Sequence, residues 1–438
     1  MKVALLSLCV VLTWWIFPFW LQGGMFMDGQ IYAAVAQNLA DGIGTFWAPV
    51  YQPSAAQPYS EQLPLFMGME SLLFRLFGDT LWVERIFMAA AWVATAWGIS
   101  AFQRCFWPER GPDTALWVVT IWSSAPLVGW GMGNHVQEMW MAPFTLWAVV
   151  AMTHKKWVWI AGLLVMCSAL FKGPQGLFPL VWLPILGAFG VLQKAEVRRR
   201  VTILLGVGLL LGLGLLFWDD AREAIIRNAE NRLVRTFTQE RAVTTNDRLW
   251  LLGPMLGQLA VLVGSSLVAA FIRFGTLRVS VDRRVIALVG LGLVASIPLM
   301  ITHEQRDFYL ITSLPFMALG LVNALVGTPI VRSVNTSVAL SGFAVIGICL
   351  LPWRSVERDA VLRASLAKVH SQFEPRTAFN TSPELRLNHE LAAYAMRLYR
   401  WEVDLSNKLE HPYRMVPDST MPGAVLIEVH PKRSREQR

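Results

Sequence analysis

Cysteine is scarce in this chain. There are four, Cys9, Cys105, Cys167 and Cys349. Each lies in or beside an apolar run and none forms a CxxC pair, which argues against a disulfide framework or a zinc site. Charge is scarce too: 16% of the 438 residues are Asp, Glu, Lys or Arg, where an ordinary soluble domain has about a quarter. No small-residue cleavage site follows the first apolar run. Residues 1–21, with Trp14, Trp15, Phe17, Phe19 and Trp20, therefore read as a retained helix rather than a signal peptide. No internal repeat is visible. The net charge of +8 comes with no basic recognition element of a known type, so no nucleic-acid partner is expected.

What the chain does have is long apolar runs. Hydrophobic residues make up 55% of it, with 20 Trp and 23 Phe, the composition of a chain with many water–lipid boundaries. After the first run, spans are expected at residues 84–102, 114–131, 138–153, 157–171, 175–192, 201–217, 249–272, 285–301, 308–326 and 337–352. The fold class is thus an all-α polytopic membrane protein with about eleven transmembrane helices. Residues 1–352 form its membrane domain and 353–438 a small external α/β tail, in which 388–400 reads as helix and 424–430 as strand.

Basic residues sort by side. Lys2, Arg104, Arg110, Lys155, Lys156, Lys194, Arg198, Arg199, Arg200, Arg273, Arg278, Arg283, Arg284 and Arg332 fall on one face, which the positive-inside rule makes cytoplasmic. The opposite, external face receives the first loop, 22–83, and the large loop, 218–248. In the first loop, Ile31, Tyr32, Val35, Ala36 and Leu39 recur at helical spacing with Gln30, Gln37, Asn38 and Asp41 largely opposite, the pattern of a helix lying in the membrane surface. Residues 42–60 read as loop. The run from Leu63 to Gly78 is short and carries Glu70 and Arg75, so it is read as interfacial or re-entrant. Counting it as a span would put the basic clusters outside. The triplets Asn335-Thr336-Ser337 and Asn380-Thr381-Ser382 match a glycosylation acceptor pattern that is common by chance.

Five groups with chemical potential share the external face. Asp28 precedes a helical stretch. Its plain role is a helix N-cap; its chemical role is a carboxylate that takes a proton from an acceptor hydroxyl. Glu61 stands before Leu63-Pro64-Leu65, where a solvated loop charge is the plain role. Glu138 opens an apolar helix after Asn134 and His135, where an acid favours the helix dipole. Lys172, before Gly173-Pro174, either snorkels to the headgroups or binds an anion. The stretch from Thr302 to Tyr309 carries His303 and Arg306, of which Arg306 is the better phosphate ligand because its guanidinium grips with two bonds. The large loop adds Arg222, Arg227, Arg232, Arg235, Arg241 and Arg248 among six acids, mostly as mutual salt bridges. Acids and cations gathered at one interface suit a lipid-tailed phosphate donor, whose leaving charge is neutralised while an incoming hydroxyl is activated.

These residues resemble the GT-C membrane glycosyltransferases, in the branch of the lipid A aminoarabinose transferases and protein O-mannosyltransferases. Asp28-Gly29-Gln30-Ile31-Tyr32-Ala33 looks like that family's first-loop Asp motif, and Glu61 to Pro64, continuing to Leu76-Phe77-Gly78, like its acidic-proline segment. Arg85, Val136-Gln137-Glu138-Met139, Phe171-Lys172-Gly173-Pro174 and Arg306 to Leu310 with Pro315 follow in the family's order. The resemblance implies transfer of a sugar from a polyprenyl-phosphate donor to a lipid, glycan or protein hydroxyl, with inversion. It implies a bacterial inner membrane with the site on the periplasmic side. Asp28 would be the base, with Glu61 and Glu138 as supporting acids. Lys172, Arg306 and, more loosely, Arg235 would lie on the phosphate side, where His303 is a further cation. Gly29 stands where the family often has a second acid, and Gln62 where it often has lysine. No cofactor is expected; a divalent metal stays open, with no ligand spacing asking for one. Two other readings are a transporter or flippase of lipid-linked sugars and a non-catalytic lipid-binding relative. A transporter would place its ionisable residues nearer the bilayer midplane.

Overall fold

The computed structural model describes residues 2–55, 57–234, 248–274, 279–302, 304–325, 357–407 and 410–429. The expected span at 337–352, Arg332, the triplet at Asn335, Arg235, Arg241, Arg278, His303 and the end of the expected strand at His430 lie outside these residues. The chain is mostly helical and is divided into two compact units. One comprises Met1–Leu21, Ser60–Phe66 and Arg85–Arg354; the other comprises Gln22–Tyr59, Met67–Glu84 and Ser355–Arg438.

The first unit is a bundle of apolar helices. Among the described residues, six helices are long and apolar enough to cross a membrane: Lys2–Trp20, Trp82–Phe106, Val158–Ala188, Lys194–Phe217, Leu252–Ala270 and Arg283–Ile301. A seventh arises if Pro112–Ser123 and Pro126–Asn134, bent by 68°, form one span. The molecule is an integral membrane protein in its composition and architecture.

Several breaks in these helices have identifiable causes. Lys2–Trp20 widens into a π-helical stretch at Leu12–Ile16, just ahead of Pro18. A proline donates no N–H to the preceding turn and its ring crowds the carbonyl four residues back, and the wider turn relieves both. The bend between Ser123 and Pro126 falls where Pro126 starts a new helix after an extended Ala125. Val158–Ala188 is not one rod. Its α-helical arm ends at Lys172, and Gly173 adopts φ 62° and ψ −134°, a backbone region that favours glycine. The chain then returns on itself: a Cβ placed on Gly176 would lie 2.3 Å from the carbonyl oxygen of Ser168. A straight helix would separate those residues by about 12 Å, so the arms fold back, as the separate expected spans at 157–171 and 175–192 require.

The second unit holds a four-stranded sheet and the helices of the first loop. The strands are β1 (Ala378–Thr381), β2 (Glu402–Asp404), β3 (Tyr413–Pro417) and β4 (Val425–Val429), in the order β2-β1-β3-β4. β1 runs parallel to β2 and β3, and β4 is antiparallel to β3 with Met415 opposite Ile427. The crossover from β1 to β2 is helix His389–Tyr399. Asn388 caps its start by accepting the Leu391 N–H at 2.9 Å, and Arg400 closes it at φ 57°. Leu362, Leu366, Phe379, Leu391, Tyr394, Trp401, Val403 and Met415 pack as the core. The small C-terminal α/β element is thus present, and its helix and last strand lie where the pattern puts them.

The first loop contains helices Met27–Ala40 and Leu65–Phe77. Helix Met27–Ala40 departs from the expected two-faced pattern: Gln30, Gln37 and Asn38 are as buried as Tyr32 and Val35. The polar face is covered rather than solvated. Asn38 donates to the carbonyls of Val50 and Tyr51 at 2.9 and 3.0 Å, so the loop over 42–59 folds across it.

Candidate functional site

The first unit gathers a charged and aromatic cluster from five distant segments. Glu138 lies in the first turn of helix Glu138–Thr153, and Lys172 is the last residue of the arm Val158–Lys172. The tight turn at 153–157 makes these helices antiparallel neighbours, which sets the end of one beside the start of the other. An acid in a first turn and a base in a last turn each oppose the helix dipole favourably. Lys172 Nζ and Glu138 Oε1 form an ion pair, with the two side chains 5% and 1% exposed.

The ammonium is also covered by aromatic rings. Lys172 Nζ lies 3.6 Å from the Tyr309 ring centroid and 5.3 Å from that of Phe308. A desolvated cation on a ring face gains about 2 kcal/mol. Tyr309 sits in the 3₁₀ turn Asp307–Thr312, and its backbone carbonyl accepts the Gln175 side-chain N–H at 3.1 Å. The hairpin after Lys172 is thereby tied to the Tyr309 turn.

The Tyr309 hydroxyl leads to a second cation. Arg232 Nη2 donates to it at 3.4 Å, and the hydroxyl lies 3.4 Å from Glu304 Oε1. Arg232 and Glu304 approach to 3.8 Å. Arg232 Nη1 donates to the backbone carbonyl of Glu61 at 2.8 Å, while Asn228 and Asn231 bond Ser60 at 2.8 and 2.7 Å. The segment Ala229–Val234 of the large loop is therefore seated on the Ser60–Glu61 turn.

His135 shapes the approach to Glu138. Its φ of 56° and ψ of 48° end helix Pro126–Asn134 and redirect the chain into the next helix. Its buried ring packs edge-on against Phe66, with centroids 5.1 Å apart. Gln137 follows, 1% exposed, with neither side-chain amide atom hydrogen-bonded among the described residues.

Of the expected site residues, Glu138, Lys172 and Glu61 contribute to this cluster, Glu61 through its carbonyl. Arg306 is half-buried, three residues before Tyr309, and its guanidinium makes none of these bonds. Burial pushes the carboxyl of its neighbour Asp307 above the usual carboxylate range, against the pull of backbone N–H bonds and of Arg306. Arg235 and His303 lie outside the described residues. Asp28 is in the second unit, half-buried in the first turn of Met27–Ala40. It is not the N-cap: that position is Phe26, which makes no side-chain cap bond. Asp28 lies one turn position further in, where its charge still suits the helix start.

Sequence reasoning passed over Arg232, Glu304 and Tyr309 as site residues. The weak signal for Arg232 was an arginine in an outward loop, shared with five others; Tyr309 was a tyrosine at a polar helix end. Among the described residues no group of three or more His, Cys, Asp or Glu is placed to hold a metal ion.

No protein-family model and no curated protein sequence matches the chain. Solved structures do match its fold. ArnT from Cupriavidus metallidurans in the apo state superposes with a TM-score of 0.64 at 13% identity, over 95% of this chain and 93% of that one. The same protein bound to undecaprenyl phosphate gives the same values, 0.64, 13%, 95% and 93%. The Archaeoglobus fulgidus oligosaccharyltransferase in complex with Zn and sulfate gives a TM-score of 0.54 at 12% identity, over 95% of this chain and 68% of that one. Along nearly its whole length the chain thus shares the fold of ArnT and, less closely, that of the oligosaccharyltransferase.

Proposed function

We propose that this chain is a membrane glycosyltransferase that moves a sugar from a polyprenyl-phosphate donor to a hydroxyl on a lipid, glycan or protein acceptor, with inversion, at the periplasmic face of a bacterial inner membrane. The observation that carries the reading is the Glu138–Lys172–Tyr309–Arg232 cluster on a GT-C fold. Its contacting side chains come from segments 34 to 137 residues apart, which no single structural need of one helix explains. The crystal structure of ArnT with undecaprenyl phosphate supports a polyprenyl phosphate as the class of ligand.

In this reading the membrane domain, 1–352, holds about eleven spans and 353–438 is an external domain. Asp28 takes the proton from the acceptor hydroxyl as the sugar–phosphate bond breaks. Arg306 and Arg232, with Lys172 and the more loosely matched Arg235 and His303, neutralise the departing phosphate. Glu138 holds the Lys172 ammonium in place and Glu61 supports the acceptor side. Gln137 offers its buried amide to a sugar hydroxyl. No step requires a metal.

The test is transfer from labelled undecaprenyl-phosphate hexoses and pentoses in membranes carrying the chain. Asp28→Asn keeps the shape and removes the base, so transfer should fall about a thousandfold with insertion unchanged. Full activity in that variant removes Asp28 from this role. Transfer by no donor, together with movement of the labelled lipid across the bilayer, would favour the flippase reading instead.

A further inference from the structure

The second unit contains a device that holds the Asp28 helix at both ends. Helix His389–Tyr399 packs beside Met27–Ala40, and its side chains reach the residues that flank that helix. At the start, the fully buried Tyr394 hydroxyl accepts the Met25 N–H at 3.1 Å. Its single proton goes to Met25 O or to Asp359 Oδ2, both 2.9 Å away. At the far end, Arg400 pairs with Asp41, the residue that closes Met27–Ala40, and with Asp79 at 3.3 Å. Between them Arg397, 2% exposed, pairs with Glu84 at 2.6 Å and Asp79 at 3.0 Å and lies over the Phe74 ring.

The segment leading into the helix is gripped as well. Arg358 donates its N–H to Gly23 O at 2.8 Å, and its guanidinium lies 5.3 Å from the Phe26 ring centroid. Gly24 has φ 75°, and a Cβ there would stand 2.5 Å from Arg358 O and 2.6 Å from the Tyr394 hydroxyl. Only glycine fits that backbone and that gap. Residues far apart in the chain thus commit a buried tyrosine, three arginines and a glycine at positive φ to fixing one short helix. A fold that merely needed to cover the helix would use apolar contacts, because buried polar networks add geometric definition at a cost in desolvation.

We infer that the C-terminal domain is a positioning element for the reaction, in which Tyr394 and Arg400 set the location of Asp28 by holding Met25 and Asp41. The inference rests on the proposed role of Asp28 as base. Tyr394 touches neither donor nor acceptor in this role; it acts through the backbone two residues before the Asp28 helix begins.

The experiment compares the full-length chain with Tyr394→Phe and Asp359→Ala in detergent or nanodiscs. Hydrogen–deuterium exchange is followed over residues 23–41, together with transfer from whichever labelled undecaprenyl-phosphate sugar the unaltered chain turns over. In Tyr394→Phe, exchange at 25–30 should rise while the β-sheet stays protected. kcat should fall about tenfold with KM for the donor within twofold, since misplacing a reacting group costs rate rather than binding. Asp359→Ala, which leaves the tyrosine intact, should give the same pattern more weakly and serves if the first variant does not fold. Raised exchange with unaltered kcat, or unaltered exchange, overturns the inference. If instead Asp28→Asn is itself active, the failure lies in the role given to Asp28 and not in the clamp, which the exchange data report separately.

Discussion

The ammonium of Lys172 is enclosed on one side by the carboxylate of Glu138 and on another by the ring face of Tyr309, 3.6 Å from its centroid. Such a pair is secure only as a pair. Lys172→Met should strand a buried carboxylate and cost about 3–5 kcal/mol of stability. The double variant Lys172→Met/Glu138→Leu should recover most of that loss while remaining inactive. Thermal melting in detergent, run beside the transfer assay, separates the two effects. A double variant as unstable as the single one would show that the pair is not the unit at work.

Tyr309 combines two functions that substitution can divide. Tyr309→Phe keeps the ring under Lys172 and removes the hydroxyl between Arg232 and Glu304. Tyr309→Leu removes both. The leucine variant should be less stable than the phenylalanine variant by about 1–2 kcal/mol, the worth of a desolvated cation–ring contact. Equal melting temperatures for the two would assign the ring no share.

In the proposed reading, Arg232 serves structure as well as the phosphate side, whereas Arg306 serves the phosphate side alone. Arg232 is bonded to Glu61 O and Tyr309, so Arg232→Ala should loosen the large loop and raise its protease sensitivity as well as lower activity. The Arg306 guanidinium makes none of the cluster's bonds, so Arg306→Ala should leave melting nearly unchanged and weaken binding of undecaprenyl phosphate about tenfold or more, a charge-assisted phosphate contact being worth about 1.5–3 kcal/mol. Binding measured by the thermal shift at rising lipid concentration checks both. Unaltered lipid affinity in Arg306→Ala removes that residue from the phosphate side.

Asp307 gives a pH signature. Burial raises its folded carboxyl above the usual range, so the folded state binds its proton more readily than the unfolded one. Its charge therefore costs stability at neutral pH. That cost is relieved as pH falls through the raised value, and the gain is complete below the ordinary carboxylate range. Asp307→Asn, which retains an oxygen for the Phe308 N–H, should raise the melting temperature at pH 7 by about 2 °C and flatten its dependence toward pH 5. A lower melting temperature at pH 7 would show that the charge is stabilising there.

The bundle was legible because membrane helices advertise themselves in long apolar runs. Glu138 and Lys172 stood out because an ionised residue at an apolar helix end is costly without a partner. Other features were not written locally. The 218–248 loop offers six arginines among six acids, and only the seating of Asn228 and Asn231 on Ser60 decides that Arg232 turns inward. Gln30, Gln37 and Asn38 had the spacing of a wet face, and only the loop that folds over them makes that face dry. The chain reversal after Lys172 was marked by Gly-Pro, but its closeness depends on Gly176 meeting Ser168 across the turn. Tyr309 carried no charge to draw attention; its role comes from the electron-rich face that it turns toward a cation.

The antiparallel setting of Glu138–Thr153 and Val158–Lys172 gives the site an intrinsic direction. The acid occupies the end where free N–H groups accumulate, and the base the end where free carbonyls do. Exchanging the two side chains would preserve the arithmetic of charge yet set each against its own backbone. The order in which they occur along the chain, acid first and base second, is therefore a requirement of the helices themselves, and any descendant sequence that keeps this hairpin inherits it.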